Sequence, residues 1–186
     1  EDVLEEIGVN HFQWLAMVVC GLGNATDAVE VMSLSYILPQ LQGSEVMDIK
    51  TLKGNLSSAV FVGMLLGGLI GGSLSDHIGR KRVIVLTMGW NFVFTLIFGM
   101  TFEPHSLIFL RVLTGFGVGA GIPSVFCYTA EAVPASFRGA AVCVVASFWM
   151  VGSIFAAVLA WIIIPHHGWH MFAMFCGLPA LATALL

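Results

Sequence analysis

Charged side chains are scarce in this sequence. Only 10% of its 186 residues are Asp, Glu, Lys or Arg, whereas 58% are hydrophobic. Soluble domains carry about 25% charged residues, so this composition excludes an ordinary soluble domain and indicates an integral membrane protein. Seven basic residues stand against eleven acidic ones, which gives a formal net charge of −4. A nucleic-acid-binding surface needs clustered Lys and Arg, so nucleic acid is excluded as a partner.

The cysteine patterns of metal centres and disulfide frameworks are also missing. The four cysteines all lie in apolar segments, and no two of them have CxxC spacing. We therefore predict neither a metal site nor disulfides. Because no nucleophile and base can be paired with confidence, we expect no catalytic residues, no enzymatic activity and no bound cofactor.

Six long apolar runs occupy most of the chain, at residues 12–41, 56–74, 83–102, 107–128, 140–164 and 169–186. About 17–25 apolar residues form a helix that crosses a bilayer, and each run meets that length. Short segments with Gly, Pro or charges separate the runs. The sequence predicts an all-α, polytopic membrane helix bundle of six transmembrane helices over residues 12–186, after an acidic cytosolic segment, 1–11. The last run stops without a polar flank, so we expect the protein to continue beyond it.

The basic residues predict the orientation of these helices. Arg80, Lys81 and Arg82 fill the second loop, and Arg138 lies in the fourth. Cytoplasmic loops carry an excess of Lys and Arg, so both loops and the N-terminus are predicted to be cytosolic.

Two carboxylates interrupt the first apolar run. Asp27 and Glu30 are three residues apart, which places both on one face of a helix. Asp27 lies roughly 20 Å into the span, near the bilayer midplane. A carboxylate there costs about 2.5–3.5 kcal/mol, and such residues usually mark an ion or substrate pathway. The alternative is a structural ion pair that holds helices together.

The loop between the second and third runs contains the most specific pattern, Gly72-x-x-x-Asp76-x-x-Gly79-Arg80-Lys81. Gly79 permits a tight turn, Arg80 can pair with Asp76, and the cations hold the loop at the cytosolic face. This spacing resembles the signature between the second and third helices of the major facilitator superfamily.

The fourth run supports this resemblance independently. Arg111-x-x-x-Gly115-x-Gly117-x-Gly119, followed by Pro123, Glu131, Pro134 and Arg138-Gly139, is similar to the fourth-helix pattern of that superfamily.

Three further segments resemble the branch that contains the synaptic vesicle glycoprotein 2 and vesicle-2-related proteins. They are Phe12-Gln13-Trp14, Asp27-Ala28-Val29-Glu30 and Ile164-Pro165-His166-His167-Gly168-Trp169.

The resemblance implies the N-terminal six-helix half of a secondary transporter in the plasma membrane or a vesicle membrane. In such proteins two bundles rock about a midplane site and expose it to each side of the membrane in turn. The expected partners are a small organic solute, protons or another symported ion, the lipid bilayer, and a C-terminal half that this chain does not contain. Eukaryotic relatives also leave open a non-transporting trafficking or receptor protein.

The resemblance also suggests roles for individual residues. Asp27, Glu30 and Arg111 are the expected substrate- or proton-binding residues, because the first and fourth helices of the family share a cavity wall. Arg111 either forms an ion pair with Glu30 or extends to the membrane surface.

A second set is expected to form a conformational gate at the cytosolic end: Asp76, Gly79, Arg80, Lys81, Glu131 and Arg138. The alternative for these residues is an ordinary solvated surface cluster.

Overall fold

The computed structural model describes residues 11–41 and 48–185, and the regular structure in these ranges is entirely helical. Four long helices come first: α1 (His11–Ile37), α2 (Ile49–Ile78), α3 (Arg80–Met100) and α4 (Pro104–Ala132). One final helical stretch covers Arg138–Leu185, and short 3-10 helices cover Leu38–Gln40 and Ala135–Phe137. The predicted all-α class is confirmed. The predicted acidic segment, 1–11, lies outside the described residues apart from His11.

Among the described residues, five helical stretches are long and apolar enough to cross a membrane, one fewer than the six separate helices predicted. The last two apolar runs follow one another in a stretch of 48 residues without a loop between them, and the predicted separator at 165–168 is helical up to the kink at Gly168. Gly168 alone leaves the helical region, with φ 77° and ψ 176°. A positive φ suits glycine, because a side chain there would be strained. The kink divides the stretch into two segments, α5 (138–167) and α6 (169–185).

The two segments pack against different helices. In α5, Gly152 lies against the backbone of Ala25 on α1. In α6, Gly177 packs near Thr95 on α3. A straight helix of 48 residues would be about 72 Å long, more than twice the thickness of a hydrocarbon core. The change of direction at Gly168 therefore lets both segments join one bundle.

The second helix is longer than its apolar run. The sequence predicts a span over 56–74, whereas α2 begins at Ile49 and ends at Ile78. Its first turns include Lys50 and Lys53, which precede the predicted span. Helices continue past the hydrocarbon region when polar side chains can remain in water, so hydropathy alone underestimates their length.

Glycines allow α2 and α4 to pack backbone against backbone. A Cβ atom at Gly67 would overlap the carbonyl group of Phe116, and one at Gly119 would overlap the carbonyl group of Met64. Small residues at such contacts are typical of membrane helix pairs, because dispersion contacts replace the missing hydrophobic force. The glycine face of α2 thus lies against α4.

We expect Gly67→Ala to lower the melting temperature of the purified protein. Its methyl group would lie 2.8 Å from the carbonyl carbon of Phe116, and such overpacking costs roughly 1–3 kcal/mol. Gly72→Ala is the matched control on the same helix, because no atom lies within 4 Å of its added Cβ. The control should be neutral or slightly stabilising, since Ala favours helices. Equal melting temperatures for the two variants would contradict the packing described for α2 and α4.

The membrane orientation can be tested at the two ends of α2. Asp48 and His77 are exposed and separated by about 45 Å of helix. Asp48→Cys and His77→Cys should be labelled from opposite sides of the membrane, with His77→Cys accessible from the cytosol. Cys127 and Cys143 are exposed and must first be replaced by Ser. Labelling of both positions from one side would refute the predicted topology.

Candidate functional site

Charged and polar side chains are buried where α1, α3 and α4 meet. Asp27 and Glu30 of α1 are 0% and 2% exposed, and Arg111 of α4 is 2% exposed. Asn91 and Thr95 of α3 are also buried and complete the cluster. Asp27 lies about 24 Å along α1 from its first residue, well inside a membrane-spanning helix. The fold thus brings together the three residues that the sequence proposed for binding.

Glu30 is held firmly by one of its two carboxylate oxygens. The hydroxyl group of Thr95 donates a hydrogen bond of 2.7 Å to Glu30 Oε1. Glu30 Oε2 is buried and has no hydrogen-bond partner among residues 11–41 and 48–185. One oxygen therefore fixes the side chain, and the other retains its accepting capacity.

Asp27 is held more weakly. The amide of Asn91 donates a hydrogen bond of 3.3 Å from Nδ2 to Asp27 Oδ1, which is longer than the usual 2.7–3.2 Å. Asp27 Oδ2 is buried and has no hydrogen-bond partner in the described part of the chain. Each of the two carboxylates therefore presents one oxygen that can accept a proton or a hydrogen-bond donor.

Arg111 lies inside the bundle rather than at the membrane surface. Its guanidinium carbon lies 3.9 Å from the centroid of the Phe98 ring, so the cation rests on an aromatic face. The predicted direct ion pair with Glu30 is absent. Within the described ranges, no nitrogen of Arg111 lies within the 4.0 Å ion-pair distance of a Glu30 oxygen. The two charges still interact electrostatically at longer range.

Sequence reasoning missed the contribution of α3. Thr87, Asn91 and Thr95 recur every four residues in an otherwise apolar run and therefore share one helical face. That periodic polar stripe was a usable signal for a helix that faces a polar site. Cys176 of α6, to which the sequence analysis assigned no role, is also buried.

A comparison with protein families matches the sequence to a known group. The family model of the Major Facilitator Superfamily matches residues 12–186. The chain belongs to the Major Facilitator Superfamily. It is an integral, multi-pass membrane protein.

Similar proteins of the superfamily include synaptic vesicle glycoproteins. The chain is 32% identical over 198 residues to human synaptic vesicle glycoprotein 2C, a match that covers 100% of this chain and 27% of that protein. It is 35% identical over 169 residues to rat synaptic vesicle glycoprotein 2A, covering 91% of this chain and 23% of that protein. The chain thus spans about a quarter of the length of these relatives.

Solved structures show the same fold. The xylose transporter XylE from E. coli, in a partially occluded inward-open conformation, superposes with a TM-score of 0.83 at 19% identity. That match covers 93% of this chain and 48% of the transporter. An auto-inhibited POT family peptide transporter superposes with a TM-score of 0.74 at 16% identity, covering 91% of this chain and 36% of that one.

The loop that carries the superfamily signature has a defined geometry. Gly79 has a φ of 98° and separates α2 from α3, and its amide donates to the carbonyl oxygen of Ser75 at 3.1 Å. Arg80 forms an ion pair with Glu131 at the end of α4. Arg80 Nη2 also lies 3.8 Å from Asp76 Oδ1. The loop therefore joins the ends of α2, α3 and α4 through one partly buried cation.

The remaining two predicted gate residues lie at the same end of the bundle. Lys81 follows Arg80 in the first turn of α3 and borders an apolar groove lined by Phe12 and Ile84. Arg138 begins the final helical stretch, directly after the short 3-10 helix that follows α4.

Proposed function

We propose that this chain forms the N-terminal half of the translocation pathway of a secondary active transporter. The transported molecule would be a small organic solute, and transport would be coupled to a proton or another ion. One observation carries the proposal: two buried carboxylates in a membrane helix each present an oxygen that lacks a hydrogen-bond partner among the described residues. Buried acids in transmembrane segments usually mark such pathways.

The charge of the cluster supports an exchangeable cation. Asp27 and Glu30 together bring two negative charges, and Arg111 brings one positive charge. If all three groups are ionised, one negative charge remains uncompensated inside the bundle, where it is costly. A proton or a cationic group of the solute would neutralise it.

Asp27 is the better candidate for the exchanging group. Glu30 already accepts a short hydrogen bond from Thr95 and interacts with the charge of Arg111. Asp27 has only the longer hydrogen bond from Asn91. In addition, a Cβ at Gly121 would lie only 3.3 Å from Asp27 Oδ2, so the missing side chain leaves space beside that oxygen.

Alternating access would need a second bundle beside this one. Superfamily transporters close their site between two six-helix halves. This chain covers 48% of the xylose transporter that it resembles. We therefore infer that a C-terminal half supplies the opposite wall of the cavity.

The network at the cytosolic end would act as the gate of this cycle. Arg80 links Asp76, in the last turn of α2, to Glu131 on α4, while Gly79 provides the turn. In this proposal Lys81 and Arg138 add positive charge at the same interface. The network would stabilise one conformation by contacting the other bundle.

A non-transporting role is the second candidate. Its supporting observation is the 32–35% identity to synaptic vesicle glycoproteins 2C and 2A, whose names describe a vesicle location and not a transported solute. The chain would then be a trafficking or receptor protein of a vesicle membrane or the plasma membrane. Solute uptake that depends on Asp27 distinguishes the two candidates.

Asp76→Asn in the full protein should leave membrane insertion unchanged and shift the balance between inward- and outward-open states. Asp76 is 71% exposed and outside the apolar core, so it acts through the interface between bundles, with a coupling of about 1–3 kcal/mol. Accessibility of single cysteines on each side measures the two populations. Asp48→Asn, an exposed aspartate at the other end of α2, is the control. Equal populations in wild type and Asp76→Asn would refute the gate.

Asp27→Asn in the full protein should abolish coupled uptake while preserving insertion and the melting temperature. The change keeps the size and much of the hydrogen bonding but removes the charge and the titratable proton. Uptake in proteoliposomes and thermal melting are measured together. Glu30→Gln is the comparison variant, and it should lower the melting temperature because it leaves the Arg111 charge without its nearby acid.

A purely structural role for Asp27 gives a different pattern. Asp27→Asn would then lower the melting temperature, and a second substitution, Arg111→Gln, would restore it. Uptake at the wild-type rate by Asp27→Asn would end the proposal that this residue belongs to the transport site.

A further inference from the structure

The Asn91 side chain is positioned by packing more than by hydrogen bonds. It is 0% exposed, and its amide nitrogen donates to Asp27 Oδ1. Its own oxygen, Oδ1, has no hydrogen-bond partner among the described residues. The direction of the amide must therefore be set largely by the atoms packed around it.

On the α4 side, the Asn91 side chain packs against Gly117, which has no side chain of its own. A Cβ atom at Gly117 would overlap Asn91 Oδ1 and lie 2.8 Å from Asn91 Cγ. It would also lie 3.0 Å from Trp90 Cδ1. Any residue larger than glycine at position 117 would thus occupy the volume that the Asn91 amide fills.

Gly117 differs in this respect from its glycine neighbours on α4. Cβ atoms at Gly115 and Gly119 would meet backbone atoms of Val60 and Met64 on α2. Residues two apart on a helix point in nearly opposite directions, so Gly117 faces α3 instead. Gly115 and Gly119 serve the packing of two helices, whereas Gly117 accommodates one polar side chain.

We propose that Gly117 and Asn91 act together as positioning residues for Asp27. Because Gly117 has no side chain, the Asn91 amide can occupy the adjacent space. From there the amide donates a hydrogen bond to Asp27 Oδ1 and fixes its position. The second oxygen, Oδ2, beside Gly121, is then the atom presented to a proton or a solute. The functional part of this inference rests on the proposed transport role of Asp27, but the positioning itself is a separate structural claim.

Carbon-13 NMR of aspartate carboxyl groups tests the positioning without a transported solute. Each aspartate of the full protein gives one signal when this carbon is labelled, and the sequence described here contributes four of them, from Asp2, Asp27, Asp48 and Asp76. The signal that disappears in Asp27→Asn belongs to Asp27. We expect Gly117→Ala and Asn91→Ala each to shift the Asp27 signal and to leave the other aspartate signals in place.

A double variant shows whether the two residues act as one unit. Once Asn91 is shortened to Ala, the clash of the position-117 methyl group with the amide is gone, and its 3.0 Å contact with Trp90 Cδ1 needs only a small shift of that side chain. The double variant Asn91→Ala/Gly117→Ala should therefore match Asn91→Ala alone. Such non-additivity is expected of residues in contact. Gly68→Ala is the matched control, because its Cβ would make only an ordinary contact, 3.6 Å from the Gly119 carbonyl oxygen. Gly115→Ala should lower the melting temperature through its backbone clash.

Three results would overturn the proposal. The first is an Asp27 signal that does not shift in Asn91→Ala. The second is a shift of the Asp27 signal in Gly68→Ala as large as that in Gly117→Ala. The third is a double variant in which Gly117→Ala adds its full shift to that of Asn91→Ala. Because Asn91→Ala creates space, it remains informative if Gly117→Ala does not fold. Retained uptake by Asp27→Asn would instead remove the transport role of Asp27 and leave the NMR result standing, so the two failures are distinguishable.

Discussion

Two carboxylates and one guanidinium share the apolar interior of this bundle, and their burial constrains what surrounds them. A buried charge without compensation costs several kcal/mol, so each group needs partners close at hand. Thr95 supports Glu30, Asn91 supports Asp27, and the Phe98 ring supports Arg111. All three supporting residues lie on α3. The polar stripe of that helix is therefore as necessary to the site as the charged residues themselves.

The close approach of the helices follows from the glycines of α4. Gly115 and Gly119 bring this helix against the backbone of α2, and Gly117 and Gly121 face the polar cluster. A helix with small residues on opposite faces can contact neighbours on both sides. The same helix carries Arg111, which is the only cation among the described residues of the cluster. The packing of α4 therefore also determines how deep in the bundle this cation lies.

Features encoded locally were predictable from the sequence, and features decided by tertiary contacts were not. Hydropathy found the apolar runs and the acid pair at Asp27 and Glu30, because both are visible in a single segment. It separated α5 from α6 as two helices but predicted a loop between them, whereas the structure changes direction at the single residue Gly168. The prediction of a direct ion pair between Glu30 and Arg111 was wrong. Arg111 packs on the Phe98 ring and Glu30 accepts a hydrogen bond from Thr95 instead. These contacts join different helices, so no pattern within one helix reveals them.

The two polar regions differ in a way that suits the proposed cycle. Exposed ion pairs contribute only about 0–1 kcal/mol each, so the partly exposed network of Arg80, Asp76 and Glu131 can break and reform at little cost. The buried cluster has no such freedom, because moving its charges apart would leave them uncompensated in an apolar medium. A rigid site joined to an easily broken contact at one end is what alternating access requires of a half-transporter. In the proposed cycle the site would keep its geometry, and the weak contact would decide which side of the membrane it faces.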